Sequence, residues 1–343
     1  MPVRLRLRIW GKNAWHFWRM PFQVKYYSRS SRIIFDLTAA ALVLFLTLLI
    51  MPLYTDGDQA IYREVYRSLP KFNLSQGFIF YINSLSSREP VHFFLSWIAS
   101  RHIEKDLFVA LSNAFLAYVA MSLFQKWKAS VIIAFLLLLT NYYFFVLYFS
   151  AERLKYGFIF LALSMIYVDQ VKCIYGLATL ALVSHAQVII VYVAILFKGF
   201  VRQMLKLFLT GKVSKWFLYV PLLFIPPLFV ANQIIGKLQY YQDNVLYSSL
   251  GGWGALGRIF VFLLLALWYS KRKRETILLF VPLVIAVFLL GGERINIFGY
   301  FIFLYYGLQF RGGWNLGVLA TSAYFAHSSI GFLVNIMQRG SGF

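Results

Sequence analysis

Two arginines in this chain stand where a charge is costly. Arg153 ends the tetrapeptide Ser150-Ala151-Glu152-Arg153, and Arg294 ends Gly291-Gly292-Glu293-Arg294; each tetrapeptide separates two apolar runs. An ionisable group at the edge of a hydrocarbon layer usually has a partner or a task. A guanidinium holds phosphate oxygens bidentately and does not shed its proton, so two such arginines suit a diphosphate at a membrane surface. The competing reading pairs each arginine with its own preceding glutamate, or with lipid phosphate, and both readings stay open at this point. His185 interrupts the apolar run LATLALVSHAQVII. It is either a proton acceptor or phosphate donor, or a satisfied histidine inside a helix bundle. Asp56 and Asp58 share one polar stretch. They suit the orientation or deprotonation of a hydroxyl, or a divalent cation held through oxygen. Two carboxylates are a weak donor set that loop solvation explains equally well, so neither a metal nor another cofactor is expected. Tyr62 and Tyr66, four residues apart, present either stacking surfaces for sugar rings or part of an interfacial aromatic belt. No phosphate-binding glycine loop, dinucleotide fingerprint, metalloprotease motif or Ser-His-Asp spacing is present.

The elements that must position these residues are membrane helices. The chain of 343 residues is 61% hydrophobic and 13% charged, with mean hydropathy +0.70. That excludes an ordinary soluble domain. Apolar segments of roughly 15–20 residues recur between residues 33 and 337, which indicates an all-α polytopic membrane protein. The short segments of alternating polarity that a β-barrel needs are missing. The placement of the net charge of +21 points to a membrane surface. Residues 1–32 carry eight basic residues, no acidic one, and Trp10, Trp15, Phe17, Trp18 and Phe22 among them. This is the composition of an arm on an anionic inner leaflet, not of a nucleic-acid-binding segment or a cleavable signal. The single cysteine, Cys173, is expected as a small packing residue.

Eleven helices follow from the apolar runs: 33–52, 107–124, 129–149, 154–168, two short limbs within 173–197 meeting at His185, 216–235, 257–270, 276–290, 296–310 and 314–336. Residues 54–106 form one long outer loop whose apolar piece, 91–100, is too short to cross. The domain plan is thus a basic arm (1–32), an integral-membrane domain (33–337) and a short tail (338–343). On this topology 21 of the 33 basic residues and only 3 of the 12 acidic ones lie inside. The positive-inside rule supports that arrangement. A single crossing over 173–197 would send the clusters at 198–215 and 271–274 outside, which is why two limbs are read there. The outer face then gathers Asp56, Asp58, Glu64, Glu89, Arg153, His185, Glu293 and Arg294.

In order along the chain, these residues resemble the EpsG family, a branch of the Wzy-type polysaccharide polymerases. The family has Gly-x-Asp-x3-Tyr-x3-Tyr after an early helix, and Asp58 to Tyr66 supplies the Asp-x3-Tyr-x3-Tyr. Glu89-Pro90-Val91-His92-Phe93 matches a glutamate before a short apolar helix. Arg153 and Gly157 match an arginine with a small residue four later. His185 matches a histidine at the outer end of a helical hairpin, and Arg294 with Tyr300 a late arginine before an aromatic helix. The chain departs from the pattern at Leu154, where the family often has glutamine, and at Ala186-Gln187, where it usually has a hydroxyl residue.

The resemblance implies a GT-C-like glycosyltransferase of the bacterial inner membrane. Such an enzyme joins oligosaccharide repeat units carried on undecaprenyl diphosphate at the extracytoplasmic face. Arg153 and Arg294 would hold the diphosphate leaving group. His185 would assist at the phosphate or act as base, and Asp58 or Glu89 would orient the acceptor hydroxyl. Asp56, Tyr62, Tyr66, Lys155 and Tyr300 complete the implied substrate-binding set. The choice of base among Asp58, Glu89 and His185 is open. The implied partners are the lipid-linked oligosaccharide, membrane lipid and a chain-length regulator protein, with no nucleic acid. A transferase using a lipid-monophosphate sugar is the nearest alternative. A transporter or flippase is less favoured, because no internal repeat is visible.

Overall fold

The computed structural model describes residues 28–86, 88–211, 251–290 and 292–342. Most of the basic arm, the expected span 216–235 and the stretch that follows it to residue 250 lie outside the described residues. Among the described residues the chain is helical, with no strand.

Helix α1 (Arg29–Ile50) starts where Ser28 caps the Ser31 amide and gives way to a short 3-10 turn at Met51-Pro52. Its 22 residues span about 33 Å at 1.5 Å per residue, enough for a hydrocarbon core of roughly 30 Å. One face packs along α5 (Lys105–Lys126). There the buried Asp36 carboxylate accepts from Ser122 Oγ at 2.6 Å and Gln125 Nε2 at 2.9 Å. The other face exposes Ile33, Leu37, Phe45 and Leu49. A contiguous apolar face of this kind is a liability in water and the expected surface against lipid.

Between α1 and α5 lie three short helices, α2 (Asp58–Ser68), α3 (Leu74–Leu85) and α4 (Pro90–Ala99). None has the length to cross, as expected for 54–106. Helix α2 buries Gln59, Tyr62, Val65 and Tyr66, the 3–4 spacing of one helical face, and keeps its polar face out. Gly57 opens α2 at φ +61°, ψ −136°, a region that only glycine occupies without strain. Arg101 ties α3 and α4 together, donating to Phe72 O at 2.7 Å while its guanidinium lies 3.7 Å above the Trp97 ring.

The expected single helix over 129–149 is broken. Helix α6 (Val131–Thr140) stops at Asn141, and the chain bends 54° into α7 (Tyr142–Phe145) and a π turn (Val146–Ser150). Asn141 causes the break. Its side chain accepts from the Tyr143 amide and donates to Tyr300 Oη at 2.9 Å, in place of regular helical geometry. Helix α8 (Glu152–Ile166) follows, then α9 (Val171–Ser184) and α10 (Ile189–Thr210). These last two are the expected limbs meeting at His185, whose extended backbone (φ −159°, ψ 123°) makes the break. The second limb runs on past residue 197 to Thr210, so Lys198, Arg202 and Lys206 ride on a helix. Cys173 is exposed instead of packed. The remaining described helices are α11 (Gly251–Tyr269), α12 (Lys273–Leu290), α13 (Gly292–Gln309) and α14 (Leu316–Arg339).

Among the described residues four helical stretches are long and apolar enough to cross a membrane: Ser30–Leu53, Lys105–Lys126, Ala186–Thr210 and Arg311–Arg339. The bent pair Val131–Thr140 and Tyr142–Ser150 makes five if it counts as one span. The described residues are thus helical, with four or five helices able by length and composition to cross a membrane. Helix α8, at 15 residues, covers only about 22 Å and falls short of a full core on its own.

Candidate functional site: a buried Glu-Arg-His cluster

Three segments far apart in sequence meet at one end of the bundle. The turn before α4 contributes Glu89, the start of α8 contributes Arg153, and the break between α9 and α10 contributes His185. Arg153 Nη1 lies 3.1 Å from Glu89 Oε2, and His185 Nδ1 bonds Glu89 Oε1. Glu89 and His185 are each only 2% exposed. A carboxylate in such a place persists only when paired and hydrogen-bonded. On its other side His185 Nε2 stands 3.1 Å from Gln187 Oε1. That amide oxygen can only accept, so Nε2 carries a proton, and the Nδ1–Glu89 contact holds the next proton of the pair. The arrangement places a hydrogen-bonded Glu–His pair directly beside a fixed cation.

Helix α2 supplies the fourth member. Arg153 Nε donates to Tyr62 Oη at 3.0 Å. Burial pushes the Tyr62 phenol up to about 12, partly offset by Arg153, so the hydroxyl stays neutral and offers a lone pair to the guanidinium.

Beneath this cluster lies a second network. Glu152, adjacent to Arg153, is 1% exposed and turns the other way. Consecutive residues on a helix project about 100° apart, so neighbours at a helix start reach different partners. Lys105 Nζ donates to Glu152 Oε2 at 2.5 Å. Gln59 Nε2 donates to Glu152 Oε1 at 2.7 Å and to Phe149 O at 2.6 Å. His92 Nε2 lies 3.6 Å from the same carboxylate, beyond hydrogen-bond length, while its Nδ1 meets Tyr81 Oη at 2.9 Å. Glu152 therefore locks α8 against α2, α4 and α5, and Arg153 is left for Glu89 and Tyr62. The competing reading, a private Glu152–Arg153 pair, is replaced by this division of partners.

His92 makes the lower network sensitive to pH. Burial holds its imidazole below the ordinary histidine value, against the pull of Glu152. The folded state therefore binds this proton less readily than the unfolded chain. Its stabilising share is complete above about pH 6.5 and declines as pH falls below that value. Thermal unfolding in detergent between pH 7.5 and 5 is expected to show this loss, with a shallower slope in His92→Gln. Identical slopes would contradict it.

Gly157 explains how the His185 break comes so close to α8. A Cβ at this position would lie 2.7 Å from Val188 Cγ2 and 3.3 Å from His185 Cβ. Gly157→Val is expected to push the α9–α10 break away, at about 1–3 kcal/mol of stability. The measurement is the unfolding midpoint of the purified variant, and an unchanged midpoint would contradict the close approach.

The other residues singled out in the sequence fall elsewhere. Tyr66 is buried, stacks on Phe108 and donates to Ile103 O at 3.0 Å, so its ring packs α2 rather than facing a sugar. The Tyr62 ring is buried too, 5.9 Å from that of His92. Lys155 is 1% exposed and donates to Asn113 Oδ1 at 2.6 Å; Asn113 in turn donates to Thr47 Oγ1 and Tyr148 O. Lys155 thus bridges α8 to α5 inside the bundle. Tyr300 is fully buried against Tyr143, Phe262 and Phe325. Asp56 and Asp58 are exposed where the chain enters α2. Among the described residues no group of three or more His, Cys, Asp or Glu side chains is placed to hold a metal.

Arg294 is exposed at the first turn of α13. Its level relative to Arg153 follows from the rings below the two residues. Phe158 stacks on Phe298 with centroids 5.0 Å apart and planes 10° apart. Arg153 precedes Phe158 by five residues and Arg294 precedes Phe298 by four, about 7.5 and 6 Å of helix rise. Both helices end beside the loop after α5. Lys126 Nζ donates to Ile166 O at the end of α8, and Trp127 packs on Tyr305 near the end of α13. The helices therefore run in the same direction, with both arginines at the same end and nearly the same height.

The sequence reading passed over Gln59, His92 and Lys105, and gave Glu152 only as a neighbour. A lysine opening a long apolar helix was the available signal for Lys105.

Fold and site together define, among the described residues, a helical protein with several helices long and apolar enough to cross a membrane and a buried Glu-Arg-His cluster. Comparison with family models, with curated proteins and with solved structures gives no match for the chain.

Proposed function

We propose that this protein is a GT-C-like polysaccharide polymerase of the bacterial inner membrane. It joins undecaprenyl-diphosphate-linked repeat units at the extracytoplasmic face, on a bundle of about eleven helices of which some are short or broken. One observation carries the reading: Glu89, Arg153 and His185, drawn from three distant segments whose order resembles the EpsG pattern, form one contact cluster. The common height of Arg153 and Arg294 supports a shared diphosphate. In the reaction the bond between the donor's anomeric carbon and the diphosphate oxygen breaks, and the acceptor hydroxyl forms the new glycosidic bond. The departing diphosphate gathers negative charge, which Arg153 and Arg294 stabilise. The hydroxyl proton passes to a carboxylate oxygen, of Asp58 or Glu89, while His185, whose Nε2–H already donates to Gln187, orients Glu89 through Nδ1. Asp58, exposed at the mouth of the same region, meets the incoming acceptor.

The test is a gel of surface polysaccharide from a strain lacking this protein. Single-repeat caps in place of a ladder are expected, with the ladder restored by the intact gene. An unchanged ladder would sink the proposal.

A further inference from the structure

At the end of the bundle away from Glu89 and His185, helices α5, α8, α10, α12 and α13 enclose a cavity of about 960 Å³. This lies within the ~300–1,000 Å³ typical of ligand pockets. Its two ends differ in chemistry. The mouth is ringed by Lys126, Lys128, Lys198, Lys271 and Arg272. The body, between α8 and α10, is lined by Leu161, Ala162, Met165, Val191 and Ala194. Among the described residues two carboxylates oppose the five cations. Glu275 lies 3.8 Å from Lys198 and 3.4 Å from Arg272, and Asp169 lies 3.9 Å from Lys126. The mouth therefore keeps an excess of positive charge over an apolar shaft.

A bias of basic residues toward one side of a membrane needs only their presence there. It does not need an apolar shaft opening beneath them, and that second feature calls for a ligand with both a charged head and a chain. We propose that this cavity binds an anionic glycerophospholipid. Its phosphate sits among Lys126, Lys198, Lys271 and Arg272, and one acyl chain runs between α8 and α10. Neither the residues nor the site is shared with the Glu-Arg-His cluster, so the inference stands apart from the proposed polymerase activity.

Trp127 lines the cavity and reports on it. The full-length protein in phosphatidylcholine nanodiscs is titrated with brominated phosphatidylglycerol or brominated phosphatidylcholine. Quenching is read as the difference from Trp127→Phe. Saturable quenching is expected, with at least about tenfold preference for phosphatidylglycerol. Three variants separate the causes. K198Q/K271Q/R272Q is expected to remove most of the preference. Ala194→Phe keeps every charge, fills the shaft and is expected to abolish saturable quenching. Lys206→Gln, on the same helix beyond the cavity, is expected to change nothing. Inorganic diphosphate is the arm for a free anion and is expected not to displace the lipid. Preference that survives Ala194→Phe in a protein of unchanged unfolding midpoint would mean general surface attraction and would overturn the proposal. Displacement by diphosphate, or equal quenching by both lipids, would overturn it as well.

Discussion

Lys105→Met is expected to destabilise the protein by about 3–5 kcal/mol, the usual consequence of leaving a buried charge without its partner. Lys105 and Glu152 are 7% and 1% exposed and 2.5 Å apart, so water cannot substitute for the lost ammonium. The ammonium also lies 5.3 Å and 5.6 Å from the Tyr62 and Tyr66 ring centres, contacts that methionine replaces only in part. The double variant Lys105→Met/Glu152→Leu should recover much of the loss, because it buries no unpaired charge and Gln59 keeps the Phe149 carbonyl. The measurement is unfolding in detergent of wild type, both single variants and the double variant. A loss under about 1 kcal/mol for Lys105→Met, or additive losses in the double, would mean that the pair is not a buried, coupled unit.

Arg153→Ala is expected to lower polymer formation by about 10²–10³-fold, the effect of removing one preorganised group that stabilises developing negative charge. The variant also strips Glu89 of one of its cations and Tyr62 of its donor. Arg153→Lys separates these effects. It restores the charge near Glu89 but not the planar fork, so it should recover stability while recovering little activity. If Arg153→Lys were fully active, a point charge would suffice and the bidentate role would fall.

The site was legible in the sequence where residue type and order both signalled it. The hydrophilic interruption Ser184-His185-Ala186-Gln187 in an apolar run marked the helix break. The break at Asn141 was not legible, because one asparagine in an aromatic run does not announce that its side chain will cap one segment and bond Tyr300. The partner of Glu152 was not legible either. Adjacency in sequence pointed to Arg153, whereas side chains one step apart on a helix diverge by about 100°, and Lys105 lies 47 residues away. Tyr66, Lys155 and Tyr300 show the same limit. A polar side chain turned into the bundle and satisfied there reads just like one turned toward a substrate. Tyr66 is satisfied by a backbone carbonyl, and Lys155 and Tyr300 by asparagines on facing segments.

The span count reflects helix length. Read from hydropathy, the apolar runs outside 54–106 became eleven helices, most of them taken as continuous. In the structure, α8 is 15 residues long and α6 stops after 10, so the fold builds its charged end from short and bent helices. Those irregularities fall where the buried charged cluster is: the π turn ends at Ser150, separated from Glu152 and Arg153 by Ala151 alone, and the α9–α10 break is His185 itself. π turns and helix breaks recur at functional sites, where regular geometry gives way to side-chain placement.

The most direct test of the central claim is polymerisation by the purified protein in liposomes supplied with an undecaprenyl-diphosphate-linked repeat unit. The product is resolved by chain length, and release of undecaprenyl diphosphate is followed in parallel. The account predicts a ladder from wild type, with one lipid diphosphate released per bond formed, and almost none from Arg153→Ala or from Arg153→Lys, the latter with the wild-type unfolding midpoint. A wild-type protein that moves the lipid-linked unit across the bilayer without lengthening it, or an Arg153→Ala protein that builds the same ladder, would contradict it.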